Sequence, residues 1–169
     1  SEPAKANKSY TLTIMGASAL IALNHITRAT MDIDLVQPEM DPPLLKAVMS
    51  VADKHGLSFN WLNSSATAFA KELPSGWQKR VNKHFKGSHL TIKVLGRADL
   101  IFSKLFAAVE RPQKDFDDLL SLTPTIEEIK KAKEHLLKQE RTQLFIDRMN
   151  SISKKLQIEI SKKKDGHER

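Results

Sequence analysis

Two aspartates set two residues apart in an apolar stretch, Asp32-Ile33-Asp34-Leu35-Val36, constrain this chain more than any other feature. Such a stretch reads as a β-strand. Residues i and i+2 of a strand share a face, about 6.5–7 Å apart. Asp32 and Asp34 then point one way, while Ile33 and Leu35 point into a core. Two carboxylates this close repel each other unless positive charge sits between them, and leaving them uncompensated on a half-buried strand is costly. A hard divalent cation such as Mg²⁺, which prefers oxygen ligands, answers that need. Upstream, Tyr10 to Met15 alternates in β-forming residues and reads as a strand. It runs into the small-residue turn Gly16-Ala17-Ser18, which opens a short apolar helix to Asn24. Backbone N–H groups at such a helix start favour phosphate. Strand, turn, helix and acidic strand together predict metal-assisted chemistry on a nucleotide.

The acid-x-acid spacing by itself says little, since Glu39-Met40-Asp41 and Asp115-Phe116-Asp117 share it. What sets Asp32 and Asp34 apart is the apolar strand they sit on and the turn that precedes it. The competing reading is a strand with an exposed polar face, paired with Arg28.

The remaining chain divides in two. After the prolines of 37–43, Asp41 reads as a helix N-cap with Pro42 in the first turn, and the helix runs to His55 and stops at Gly56. A third strand is expected over 57–62 and a fourth over 90–95. The segment 63–86 is basic, with a turn at Leu73-Pro74-Ser75-Gly76. From Ala98 the period becomes helical, with Leu100, Ile101, Leu105 and Ala108 on one face. A break at 111–114 precedes a helix over 115–122. Thr125 and Glu128 then form a capping box for a helix to about 140, and a last helix covers about 142–163. These elements predict an α+β fold: a mixed sheet flanked by helices over 1–97, then a helical region over 98–169 ending in a bundle and a basic helix.

Composition narrows the classes further. The chain has 169 residues and no cysteine, which excludes disulfides, thiolate metal sites and cysteine nucleophiles. No apolar run approaches the roughly 20 residues that span a bilayer, so a cytoplasmic location without membrane contact is expected. The amino end shows no signal-like segment. A net charge of +7 fits a polyanionic partner, although Lys154, Lys155 and Lys162 to Lys164 supply five of the positive charges in what reads equally well as a solvated helix end. The six histidines show no metal-ligand spacing, and Trp61 and Trp77 read as packing residues.

The order Gly16-Ala17-Ser18-Ala19-Leu20 … Arg28-Ala29-Thr30-Met31-Asp32-Ile33-Asp34-Leu35 resembles the head of the DNA polymerase β-like nucleotidyltransferase superfamily. It is most similar to the small bacterial branch of AbiEii-type and MenT-type toxins and related nucleotidyltransferases. Asp99-Leu100-Ile101-Phe102-Ser103-Lys104-Leu105 and Arg111-Pro112-Gln113-Lys114-Asp115-Phe116-Asp117-Asp118-Leu119 resemble two later segments of that branch, so the likeness spans roughly residues 10–125. It implies Mg²⁺-dependent transfer of a nucleoside monophosphate from an NTP to an RNA such as tRNA, a protein or a small molecule. In the toxin branch it further implies an antitoxin partner. Asp32 and Asp34 would hold the metal. Gly16, Ala17 and Ser18 would cradle phosphates, Ser18 through its hydroxyl. Lys104 would give a cation to the triphosphate, Asp115 and then Asp118 would complete the site, and Arg28 would steady the loop or a phosphate.

Simpler roles stand beside these. Asp99 fits a first-turn carboxylate favoured by the helix dipole, Lys104 fits a side chain reaching outward past its apolar neighbours, and Arg111, Lys114, Asp115 and Asp118 fit a surface ion-pair cluster. Three departures from the branch stand out, one being that only nine residues precede Tyr10 where relatives tend to carry a helix. Ala17 carries a Cβ that opposes positive φ in the turn, and the strand over 90–95 has no third carboxylate. The alternative function is a catalytically weak member that binds nucleotide or RNA.

Overall fold

The computed structural model describes residues 8–165, with side chains to residue 163. Five strands form one mixed sheet in the order β3-β2-β1-β5-β4. β1 (Tyr10–Met15) lies at the centre, antiparallel to β2 (Ile33–Gln37) and parallel to β5 (Leu90–Val94). β3 (Leu62–Asn63) extends β2 in parallel, and β4 (Asn82–Lys86) pairs antiparallel to β5 at the far edge. Between β1 and β2 runs the short α1 (Gly16–Ala22), and α2 (Pro42–His55) follows β2. Two 3₁₀ turns, Ala68–Lys71 and Trp77–Lys79, fill the path from β3 to β4. Four helices complete the described chain: α3 (Arg97–Glu110), α4 (Pro112–Ser121), α5 (Ile126–Leu137) and α6 (Gln143–Asp165).

Local chemistry sets most boundaries. The Asp41 carboxylate accepts from the Leu44 amide at 2.9 Å to start α2, and Gly56 ends that helix in the left-handed conformation (φ +62°). Thr125 and Glu128 close a reciprocal capping box on α5, with Glu128 N–H donating to Thr125 Oγ1 at 3.1 Å and Thr125 N–H to Glu128 Oε2 at 2.8 Å.

Three expectations need correction. The strand expected over 57–62 is only Leu62–Asn63: residues 57–60 are exposed, Phe59 among them, and apolar residues in a surface turn imitate a strand in sequence. The break expected over 111–114 is confined to Arg111, because Pro112 occupies the first position of α4, where its missing N–H costs nothing. The strand over 90–95 is the fifth rather than the fourth, since β4 precedes it.

A single large core joins both halves of the chain. Ile14, Leu20, Val36 and Val94 from the sheet region pack with Leu100, Leu105, Leu119, Leu136, Met149 and Leu156 from α3 to α6. α3 is its spine, packed against α4, α5 and α6. Leu20, Leu100 and Leu105 are wholly removed from water, each contributing about 1.5–3 kcal/mol. A second cluster, Leu12, Leu35, Leu44, Val48 and Leu62, seats α2 on the sheet, and Trp61 Nε1 donates to the Val48 carbonyl at 3.0 Å beside it. Trp77 is buried in the large core. No helix among the described residues is long and apolar enough to cross a membrane.

Candidate active site

At the end of β1 the chain turns through Gly16 at φ +73°, the only positive φ in the Met15–Ser18 turn. Only glycine fits there, on two counts. A side chain resists that φ, and a Cβ built on Gly16 would lie 2.5 Å from Asp34 Oδ2. The glycine therefore lets the Asp34 carboxylate rest against the start of α1. Ala17 already belongs to the helix and keeps negative φ, so its Cβ opposes nothing. Ser18 departs from expectation: its hydroxyl donates to the Met15 carbonyl at 3.0 Å, within the turn rather than toward the cleft.

Asp34 is half-buried on β2, paired across the sheet with Met15 and Asn63. Burial, followed by the charge of Asp32, pushes its carboxyl above the usual range, with Asn63, Lys104 and Ser65 pulling the other way. Asn63 Nδ2 approaches Asp34 Oδ1 at 3.4 Å. Asp32 lies just outside β2, exposed, and accepts from Thr30 Oγ1 at 3.1 Å.

The second half of the chain brings up the facing wall. Lys104 does not reach outward. It is buried, with its ammonium 2.8 Å from Asp115 Oδ1 and 2.6 Å from Asp118 Oδ2, both carboxylates buried as well. Arg28, from the loop between α1 and β2, forks onto Asp118 with Nη2 contacts of 2.8 and 2.7 Å. Burial raises the Asp118 carboxyl, but the hydrogen bonds from Arg28 and Lys104 outweigh it and hold the group below the usual range. Two buried carboxylates thus already engage the ammonium of Lys104. Asp115 and Asp118 likewise form no surface cluster; Arg111 and Lys114 are exposed, and Arg111 lies 3.2 Å from Asp115 Oδ2. That contact lacks hydrogen-bond geometry, so Asp115 Oδ2 is buried without a hydrogen bond.

These groups converge on one cleft of about 450 Å³, lined by Gly16, Ala17, Asp32, Asp34, Lys104 and Asp115, with Arg111 and Lys114 also at its wall. Arg28, Ser18 and Asp118 stand behind the lining. Asp99 is elsewhere: fully buried in the first turn of α3, it receives both arms of Arg80 at 2.7 and 2.9 Å.

Four lining or supporting residues, Thr30, Asn63, Ser65 and Glu110, went unread in the sequence. Glu110 had a signal, since Lys104, Ala107, Glu110 and Lys114 recur at helical three- and four-residue spacing. Asn63 had no periodic signal, because β3 is two residues long and shows no alternation.

The carboxylate arrangement also bears on a metal. No group of three or more His, Asp or Glu residues among the described residues could hold an ion alone. Mg²⁺ does not require one, because it is usually bound by one or two carboxylates with substrate phosphates and water completing the shell. Asp34, raised by burial and by its acidic neighbour, and the open Asp32 suit such a shared site.

A mixed sheet with an acidic pair at the start of β2, closed by a helical wall with a lysine and an aspartate, is compatible with the nucleotidyltransferase class of α+β proteins. The family model of nucleotidyltransferases of unknown function, DUF6036, matches residues 2–162, and the chain belongs to this family. No curated protein and no solved structure matches the chain significantly.

Proposed function

We propose that the chain is a Mg²⁺-dependent nucleotidyltransferase that transfers a nucleoside monophosphate from an NTP to an acceptor. One observation carries this reading: Gly16, Asp32 and Asp34 from the sheet half meet Lys104 and Asp115 from the helical half around a single cleft. Asp32 and Asp34 hold the metal. When bound, Mg²⁺ neutralises triphosphate charge and lines up the α-phosphorus with the incoming nucleophile. Gly16 and Ala17 offer backbone beside the phosphates, and the exposed side chains of Arg111 and Lys114 contribute positive charge at the rim. Lys104 fixes Asp115 and Asp118 in place, and Asp115 Oδ2, held only by the ion contact with Arg111, keeps its capacity to accept from an acceptor hydroxyl. The acceptor is an RNA such as tRNA, a protein or a small molecule. The toxin branch adds bacterial toxin activity in the cytoplasm and an antitoxin partner to the same reading.

The engagement of Lys104 by two carboxylates favours a second reading, a catalytically weak member that binds nucleotide. The test is transfer of label from each of four [α-³²P]NTPs, with Mg²⁺, to total RNA, protein and small-molecule acceptors. Asp32→Ala and Asp34→Asn are expected to abolish labelling while the far-UV spectrum is kept, and unchanged labelling would refute the metal role. A nucleotide-dependent rise in Tm without any labelling by the parent chain would select the second reading.

A further inference from the structure

Between Glu72 and Asp99 the chain contains no carboxylate, yet it carries six of its lysines and arginines: Lys79, Arg80, Lys83, Lys86, Lys93 and Arg97. Arg80 and Arg97 have partners in Asp99 and Glu128. Among the described residues, no carboxylate oxygen lies within 4 Å of the other four ammoniums. The register of β4 against β5 then gathers three of them. Lys83 stands directly opposite Lys93, and Lys86 opposite Thr91. Directly paired residues share a face, as do residues two apart on one strand, so Lys83, Lys86, Lys93 and Thr91 project from the same side of the sheet. On β1 the exposed Thr11 continues the Thr91 row, whereas Thr13 beside Lys93 is fully buried. Residues 82–89 are all exposed, and Thr91 and Lys93 are half-exposed.

Like charges directly opposite each other weaken a strand pair. Lysines are useful on edge strands, where they block pairing with other chains, and that accounts for Lys83 and Lys86. It does not account for Lys93, which lies on an inner strand and faces Lys83. A polyanion laid across the two strands removes the repulsion.

We propose that this face of β4 and β5 binds single-stranded nucleic acid through its phosphate backbone. Ammoniums and hydroxyls are the donors that phosphate oxygens take. Lys83 and Lys93 form one cationic row, and Lys86 lies in the next, about 7 Å along the strands, a step comparable with that between neighbouring phosphates of an extended strand. The only Phe, Tyr or Trp of the hairpin, Phe85, pairs with Ile92 and so stands on the opposite face. Binding is therefore chiefly to backbone, without stacking on Phe85 and without sequence preference. This inference narrows the acceptor left open above and rests on that reading only for its catalytic consequence. The face lies on the β4 side of the sheet, away from the β3 edge near Asp34, so binding can be measured without turnover.

The test is fluorescence anisotropy of the full chain with labelled mixed-sequence RNA and DNA 12-mers over a range of salt. The triple variant Lys83→Gln/Lys86→Gln/Lys93→Gln is expected to bind at least tenfold more weakly. Its slope of log K against log salt should shrink by about 2, given about 0.7 per phosphate contact on a single strand. Its Tm should equal or exceed that of the parent, since a repulsive pair has gone, and Phe85→Ala and Lys154→Gln/Lys155→Gln should bind like the parent. A parental slope in the triple variant, loss of binding in either control variant, or preference for a polyglutamate of equal charge would overturn the proposal. Loss of oligonucleotide binding with an intact Mg²⁺-NTP-dependent Tm rise supports this face whatever the labelling assay shows. Labelling without any oligonucleotide binding by the parent sinks this face alone.

Discussion

Lys104→Met removes the one cation shared by two buried carboxylates, and its cost can be apportioned from the geometry. Asp118 keeps the bidentate contact with Arg28. Asp115 Oδ1 loses its one hydrogen bond, and Oδ2 keeps only the 3.2 Å ion contact with the exposed Arg111. The loss therefore falls chiefly on Asp115, a carboxylate only 2% exposed. Breaking one side of a buried pair costs about 3–5 kcal/mol, and the exposed Arg111 beside Oδ2 offsets only a small part of that. At about 2–4 °C per kcal/mol for a chain of this size, Tm should fall by roughly 6–20 °C. The diagnostic step is a double-mutant cycle. Asp115→Asn added to Lys104→Met removes the stranded charge and should recover stability, with a coupling of about 1–3 kcal/mol. Urea unfolding at pH 7.5 reads all four corners of the cycle. A Lys104→Met cost below about 1 kcal/mol, or a cycle with no coupling, would refute the picture of a buried ammonium holding Asp115.

Two further outcomes concern the turn and its aspartate. Gly16→Ala places a Cβ 2.5 Å from Asp34 Oδ2 at a φ of +73°. It should cost at least about 1 kcal/mol from the backbone alone and abolish the Tm rise given by Mg²⁺-NTP; a retained rise would show that the contact is not needed. Asp34→Asn tests the sign of the shift at that residue. Burial and the charge of Asp32 raise the Asp34 carboxyl in the folded state, so its ionised form opposes folding at neutral pH, and the opposition eases as pH falls toward the ordinary range of about 4. The variant should therefore melt higher than the parent at pH 7 without nucleotide, with the gap closing toward pH 4. A lower Tm at pH 7 would contradict that direction.

Much of the frame could be read from residues because local chemistry fixes it. Tyr10 to Met15 is a strand that alternates, Asp41, Pro42 and Gly56 bracket α2, and Thr125 with Glu128 starts α5. Each signal lies within a few residues of what it determines. β4 escaped notice because Asn-Lys-His-Phe-Lys is exposed on both sides at a sheet edge and so has no apolar alternation to detect. The strand expected over 57–62 erred the other way, with apolar residues that the fold leaves in water. In the cleft, the acidic pair was legible from its context, whereas the state of Lys104 was not. Its partners lie 11 and 14 residues onward, and Asp118 is itself matched by Arg28 from 90 residues away. Burial of that network is a property of how α3 and α4 meet, which no local pattern encodes.

The core that runs through both halves sets a limit on how this protein can be cut, transplanted or recombined. A fragment ending at β5 would leave Ile14, Leu20, Val36 and Val94 facing water, and one starting at α3 would lose the surface that its spine is packed on. The sheet with its acidic pair and the helices with their lysine network are therefore poor interchangeable modules. A chimera joined at residue 97 inherits a mismatched interior before any question of substrate arises, and swaps that keep residues 10–160 from one parent avoid the problem.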